Sequence, residues 1–161
     1  MSSPPESSAS GTRAAVCGFF HAGITVRDMA ESLRFYRDAL GLEVIERWTA
    51  PGRHVAEILA VSPRELAATF LRVPGSDVQI ELFEYRGIER HPASCRPCDW
   101  GAGHICLYVD DLDGLYAHLL ASGYAARSTV VRVTRGPLAG AKVVYALDPD
   151  GYPVELFQRP T

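Results

Sequence analysis

Apolar and polar side chains alternate along Ile105-Cys106-Leu107-Tyr108-Val109, directly after Gly103-His104, and a matching alternation follows His21 in Ile24-Thr25-Val26. A period of two is that of a half-buried β-strand, so His104, Cys106 and Tyr108 share the face opposite Ile105, Leu107 and Val109. Each run then meets an aspartate placed to cap a helix, Asp28 ahead of residues 29–36 and Asp111 ahead of residues 112–119. Both predicted helices stop near a glycine, Gly41 and Gly123. A second matched pair lies further on, where Ile80-Glu81-Leu82-Phe83 is echoed by Val154-Glu155-Leu156-Phe157. The chain is therefore an internal repeat, and each half reads β-α-β-β-β.

Taken in order, residues 1–14 are rich in Ser and Pro without apolar period and are expected to form a disordered tail. Residues 15–161 form one domain, with a first module over about 15–86, a linker over 87–101 and a second module over about 102–158. In the first module we expect a strand over 15–26 and a helix over 29–40 that turns Met29, Leu33, Tyr36 and Leu40 to the sheet. A strand over 42–48 follows, then a break at Pro51-Gly52 and a helical or irregular excursion over 55–66, which could serve as a lid. A hairpin over 67–73 and 77–85 closes the module. The second module is expected to hold strands over 104–110, 124–133, 141–147 and 152–158, with a helix over 112–122. Its Asp148-Pro149-Asp150-Gly151 turn sets the register that aims Glu155. The fold class is α+β.

With 161 residues, 47% hydrophobic and 22% charged, the chain can bury a proper core. A net charge of -3 and a pI near 5.9 provide no broad basic field, which argues against nucleic acid or a membrane surface and for a small-molecule partner. No apolar run is long enough to span a bilayer and the start lacks a secretion signal, so a cytoplasmic location is expected. Cysteines are Cys17, Cys95, Cys98 and Cys106. Cys95-Arg96-Pro97-Cys98 is a lone C-x-x-C without a second such pair or a following helix, and it is expected to be reduced and free of metal. His54, His91 and His118 receive no role.

The chemistry lies in the repeat. Each half offers one histidine on its first strand and one glutamate on its last, and two imidazoles with two carboxylates suit a divalent ion while leaving two octahedral positions open. His21, Glu81, His104 and Glu155 are the candidate metal ligands. Ni, Co, Mn, Fe or Zn would suit them, and the residue types do not choose among these.

The pattern resembles the vicinal oxygen chelate superfamily, the glyoxalase, bleomycin-resistance and dioxygenase group, from His21 to Phe157. The resemblance rests on His21, residues 35–42 at the first helix end, Ile80-Glu81-Leu82, Gly103-His104, Val109-Asp110-Asp111-Leu112 and residues 148–155. It implies paired β-α-β-β-β modules whose curved sheets enclose a metal cleft, with His21, Glu81, His104 and Glu155 falling on the four ligand positions. It also implies a homodimer, with the cleft closed either within one chain or by exchanging modules between two.

Three functions are open to such a chain. The first is a lyase or isomerase similar to glyoxalase I or methylmalonyl-CoA epimerase, which stabilises an enolate or enediolate through bidentate oxygen chelation. In it Glu155, or else Glu81, is the base, and Glu155 is preferred. The second is an Fe(II) extradiol-type dioxygenase built on His21, His104 and Glu155. Residues 145–151 resemble the tail of its signature, but the histidine expected shortly before Tyr145 is missing. The third is a natural-product or antibiotic binding protein, in which Trp48, Phe83, Tyr108, Tyr145 and Phe157 would stack on substrate.

Overall fold

A computed structural model of the chain describes residues 15–93 and 95–160. The expected tail lies outside the described residues. In the first module β1 (His21–Thr25), the helix α1 (Met29–Leu33), β2 (Glu43–Pro51), α2 (Gly52–Leu59), β3 (Glu65–Arg72) and β4 (Gln79–Arg86) follow in order. The second holds β5 (Ile105–Tyr108), α3 (Leu112–Ala121), β6 (Val131–Arg132), β7 (Lys142–Leu147) and β8 (Pro153–Gln158). The two four-stranded sheets share one topology, β1-β4-β3-β2 and β5-β8-β7-β6. Within each, the first strand runs parallel to the last and the others are antiparallel. The paired modules and the α+β class are as the repeat predicts.

The caps are those expected. Asp28 accepts from the Glu31 N–H at 2.9 Å and Asp111 from the Gly114 N–H at 3.1 Å, which satisfies an otherwise orphaned donor at each helix start. Gly41 and Gly123 follow the helices at φ +77° and +85°, the left-handed turn that glycine enters without steric cost.

Several boundaries differ from expectation. Only residues 21–25 of the first run pair with β4, so residues 15–20 stay outside the sheet. The first helix widens after α1 into a π-helical stretch, Arg34–Ala39, marked by a Leu40 N–H that donates to the Phe35 carbonyl. That widening buries consecutive Phe35 and Tyr36 completely, whereas an α-helical period selects Tyr36 and leaves Phe35 aside. The excursion after β2 starts earlier than expected, because Pro51-Gly52 opens α2 rather than breaking the chain. Gly52 is required there, since a Cβ would lie 1.6 Å from the Pro63 carbonyl oxygen. Of the strand expected over 124–133, only a bridge at Ala126 and the two residues of β6 pair with β7.

One core joins the modules. Ile24, Leu33, Phe35, Tyr36, Leu71 and Leu82 of the first are continuous with Leu107, Leu112, Leu119, Val144 and Leu156 of the second. Phe35 meets Tyr124 edge-on at 4.9 Å, and the buried Tyr36 hydroxyl donates to Asp148 at 2.9 Å. Alternation along the strands then leaves the opposite face of each sheet outside this core. No helix among the described residues is long and apolar enough to cross a membrane.

Candidate metal centre

Strand register gives the two modules the same set of addresses on those outer faces. Gly23 pairs with Glu81 across the parallel β1 and β4, and Cys106 pairs with Glu155 across β5 and β8. Because i and i+2 share a face, the histidine two residues earlier, His21 or His104, stands beside the glutamate of the neighbouring strand. Nε2 of His21 lies 3.2 Å from Oε2 of Glu81, and Nε2 of His104 lies 2.9 Å from Oε2 of Glu155. All four candidate ligands therefore occur as two histidine–glutamate pairs.

The environments of the pairs differ. Glu81 is almost wholly buried, with 4% of its side chain exposed against 17% for Glu155, and His21 is less exposed than His104, 27% against 43%. On the same face of the first sheet, Val55 of α2 packs with Ala50 and Leu66 against Trp48, Phe83 and Tyr85. Burial pushes the Glu81 carboxyl above its usual range, opposed by His21 and the Trp48 indole. Oε1 of Glu81 and Nδ1 of His21 are buried without a hydrogen-bond partner. At the second pair, the Tyr145 hydroxyl donates to Oε2 of Glu155 at 3.0 Å and lies 3.5 Å from Nε2 of His104. Burial and the neighbouring Glu155 push the Cys106 thiol up to about 11.

The five aromatic candidates all fall on these outer faces. Trp48 and Phe83 pack beneath α2, and Tyr108 and Phe157 meet at 6.0 Å with the Arg159 guanidinium 4.1 Å over the Tyr108 ring. Tyr145 bonds Glu155. Sequence reasoning missed Phe70, whose ring lies 5.5 Å from His21, and Arg127, which lines a cavity of about 270 Å³ with His104, Tyr145, Cys95 and Pro153. The hairpin register around Pro74-Gly75 could have found Phe70; nothing local marks Arg127. Cys95 and Cys98 are exposed and unbridged. His54, His91 and His118 are exposed.

Donor types and the orphaned Glu81 oxygen fit a divalent ion, since a cation beside a buried, unpartnered carboxylate oxygen offsets its desolvation. The fit is by halves. Among the described residues no three His, Cys, Asp or Glu side chains gather into a group able to hold an ion, so one chain does not bring its two pairs together. A larger cleft of about 590 Å³ between the modules is lined by Leu40, Leu42, Val73, Leu107 and Asp110, and contains none of the four candidate ligands.

Repeated modules with a histidine–glutamate pair on each outer face define a class, and the comparisons agree: the chain belongs to the Glyoxalase/Bleomycin resistance protein/Dioxygenase superfamily, whose model matches residues 18–156. Among relatives, it is 29% identical over 143 residues to a 2-epi-5-epi-valiolone epimerase of an Actinomyces species, covering 87% of this chain and 78% of that protein. It is also 29% identical over 144 residues to a lactoylglutathione lyase of Haemophilus influenzae, covering 86% and 90%. A glyoxalase family protein from Bacillus cereus shares the fold at a TM-score of 0.78 and 15% identity, covering 93% of this chain and 99% of that one.

Proposed function

We propose that the protein is a metal-dependent lyase or isomerase that moves a proton next to a substrate carbonyl, and that it works as a homodimer in which each site joins the His21–Glu81 pair of one chain to the His104–Glu155 pair of the other. The observation that carries this reading is the occurrence of two equivalent half-sites that a single chain does not bring together. Exposed apolar side chains lie on the same faces, Phe20 at 4.7 Å from His21 and Tyr108 beyond Cys106, as a surface awaiting a second copy would require. The two relatives named as an epimerase and a lyase support the reaction class.

A bound divalent ion, Ni, Co, Mn, Fe or Zn, supplies Lewis acidity that lowers the pKa of the C–H beside a chelated carbonyl. The chain supplies the rest. His21, His104, Glu81 and Glu155 hold the ion. Glu155, half-open and hydrogen-bonded, is the base that takes the proton, while buried Glu81 remains a ligand. Tyr145, Tyr108 and Phe157 line the approach in the second module, and Trp48 and Phe83 back the first. The partner is a small molecule. We place the protein in the cytoplasm, where the exposed thiols of Cys95 and Cys98 stay reduced.

The test is solvent deuterium exchange and turnover on a panel of 2-oxo thiohemiacetals, cyclic hydroxyketones, 2-methylacyl thioesters and catechols, with and without oxygen. Glu155→Gln is expected to retain most of the metal and abolish exchange at the substrate carbon. Oxygen uptake with catechols would instead establish an extradiol-type dioxygenase, and tight binding without turnover a natural-product binding protein.

A further inference from the structure

The two halves of the repeat can be compared position by position, and beside their difference in burial they differ in the ring opposite each glutamate, which carries a hydroxyl in one half only. On β3, Phe70 is the cross-strand neighbour of Glu81; on β7, Tyr145 is the cross-strand neighbour of Glu155. Both rings stand edge-on to the histidine of their pair, Phe70 at 5.5 Å and 75° from His21 and Tyr145 at 5.1 Å and 71° from His104. Backbone address and ring packing are thus the same. The Tyr145 hydroxyl donates to Oε2 of Glu155 at 3.0 Å, whereas Phe70 has nothing to donate and Oε1 of Glu81 stays buried without a partner.

We propose that the Tyr145 hydroxyl is the positioning group that makes Glu155, rather than Glu81, the reacting carboxylate; this rests on the lyase or isomerase reading above. A carboxylate that takes a proton from carbon must hold a fixed plane towards the C–H bond. The hydroxyl fixes that plane and, having acceptor lone pairs as well as its proton, can turn to accept from Glu155 once Glu155 is protonated. In the step it supports, the substrate C–H bond breaks, an O–H bond forms on Glu155, and the electron pair moves onto the substrate carbonyl oxygen. When the electrons come back, Glu155 returns a proton, which exchanges with solvent while it rests on the carboxyl, to the other face or the neighbouring carbon of the substrate. The cavity of about 270 Å³ lined by Tyr145, His104 and Arg127 gives substrate room beside this pair.

Two isosteric substitutions test the assignment, Tyr145→Phe and Phe70→Tyr, alone and combined. In metal-depleted protein carrying side-chain 13C-labelled glutamate, Tyr145→Phe should shift the Glu155 carboxyl resonance and leave that of Glu81 in place, and Phe70→Tyr should do the reverse. With cobalt(II) as the probe metal, Tyr145→Phe should raise the dissociation constant and lower kcat each by about 10-fold with KM little changed, as loss of a group orienting a ligand does. Adding Phe70→Tyr to Tyr145→Phe should recover cobalt affinity without recovering kcat. An unmoved Glu155 resonance, or kcat for Tyr145→Phe equal to wild type, or kcat restored by Phe70→Tyr, overturns the proposal. Resonances that move as stated in a wild-type protein inert towards the whole panel contradict the lyase or isomerase reading instead, and leave the hold of Tyr145 on Glu155 standing.

Discussion

The two modules place histidine and glutamate at equivalent points of equivalent sheets, yet one pair is more deeply buried than the other. In the first, the segment between β2 and β3 folds into α2 and brings Val55 down over the site face; in the second, the corresponding stretch between β6 and β7 is a turn around Gly136 and Pro137. Register alone decides where a ligand stands. What covers the face decides its charge and hydration, and so two glutamates with one backbone address acquire different chemistry.

The same substitution should therefore act in opposite directions in the two modules. With its carboxyl raised by burial, Glu81 contributes stability while protonated, below its unfolded pKa, and that contribution is lost as pH rises through its higher folded value. At neutral pH the ionised group is a liability in metal-free protein, and Glu81→Gln should stabilise it by about 1–2 kcal/mol. Glu155→Gln removes the charged acceptor from Tyr145 and His104 and should cost about 0.5–1 kcal/mol. Urea melts of chelator-treated protein at pH 7 check both; like signs would show that the cover does not distinguish the two carboxylates.

The turns before the last strands offer a smaller version of the contrast. In the first module Ser76 accepts from the Val78 N–H, a neutral arrangement. In the second the buried Asp148 accepts from the Asp150 and Tyr152 N–H groups and from Tyr36, and its carboxyl nevertheless lies above the usual range because burial outweighs these bonds. Stability from the protonated form is present below the unfolded value near 4 and is lost as pH rises through the higher folded value. Asp148→Asn should accordingly gain on wild type as pH rises from 4 to 7, read from melts across that range. A difference that does not change with pH would contradict the assigned burial cost.

Much of this was legible in the residues. The caps at Asp28 and Asp111, the period-two runs after His21 and His104, and the matched glutamates were enough to locate β1, β4, β5 and β8, although His104 falls just before β5 rather than on it and β1 starts only at His21. Other features depend on partners far along the chain. Gly52 reads as a break until Pro63 is seen packed against it, and Phe35 reads as off-face until the π-helical turn brings it to Tyr124. The packing of Val55 with Ala50 and Leu66 against Trp48 and Phe83, on the sheet face that carries Glu81, exists only once α2 has folded. That the pairs stand apart in one chain has no local signature at all, since the same repeat would serve a cleft closed within a chain or between two.

Mixed dimers test that last point most directly. His21→Ala protein and His104→Ala protein, each carrying a different affinity tag, are refolded together and the species bearing both tags is isolated for elemental analysis. If each site joins the first module of one chain to the second module of its partner, one site of the mixed dimer loses both histidines and the other keeps all four ligands, so the account predicts about one tightly bound divalent ion per mixed dimer and next to none in either parent. A mixed dimer as empty as its parents would contradict it, since sites closed within single chains would each still lack a histidine.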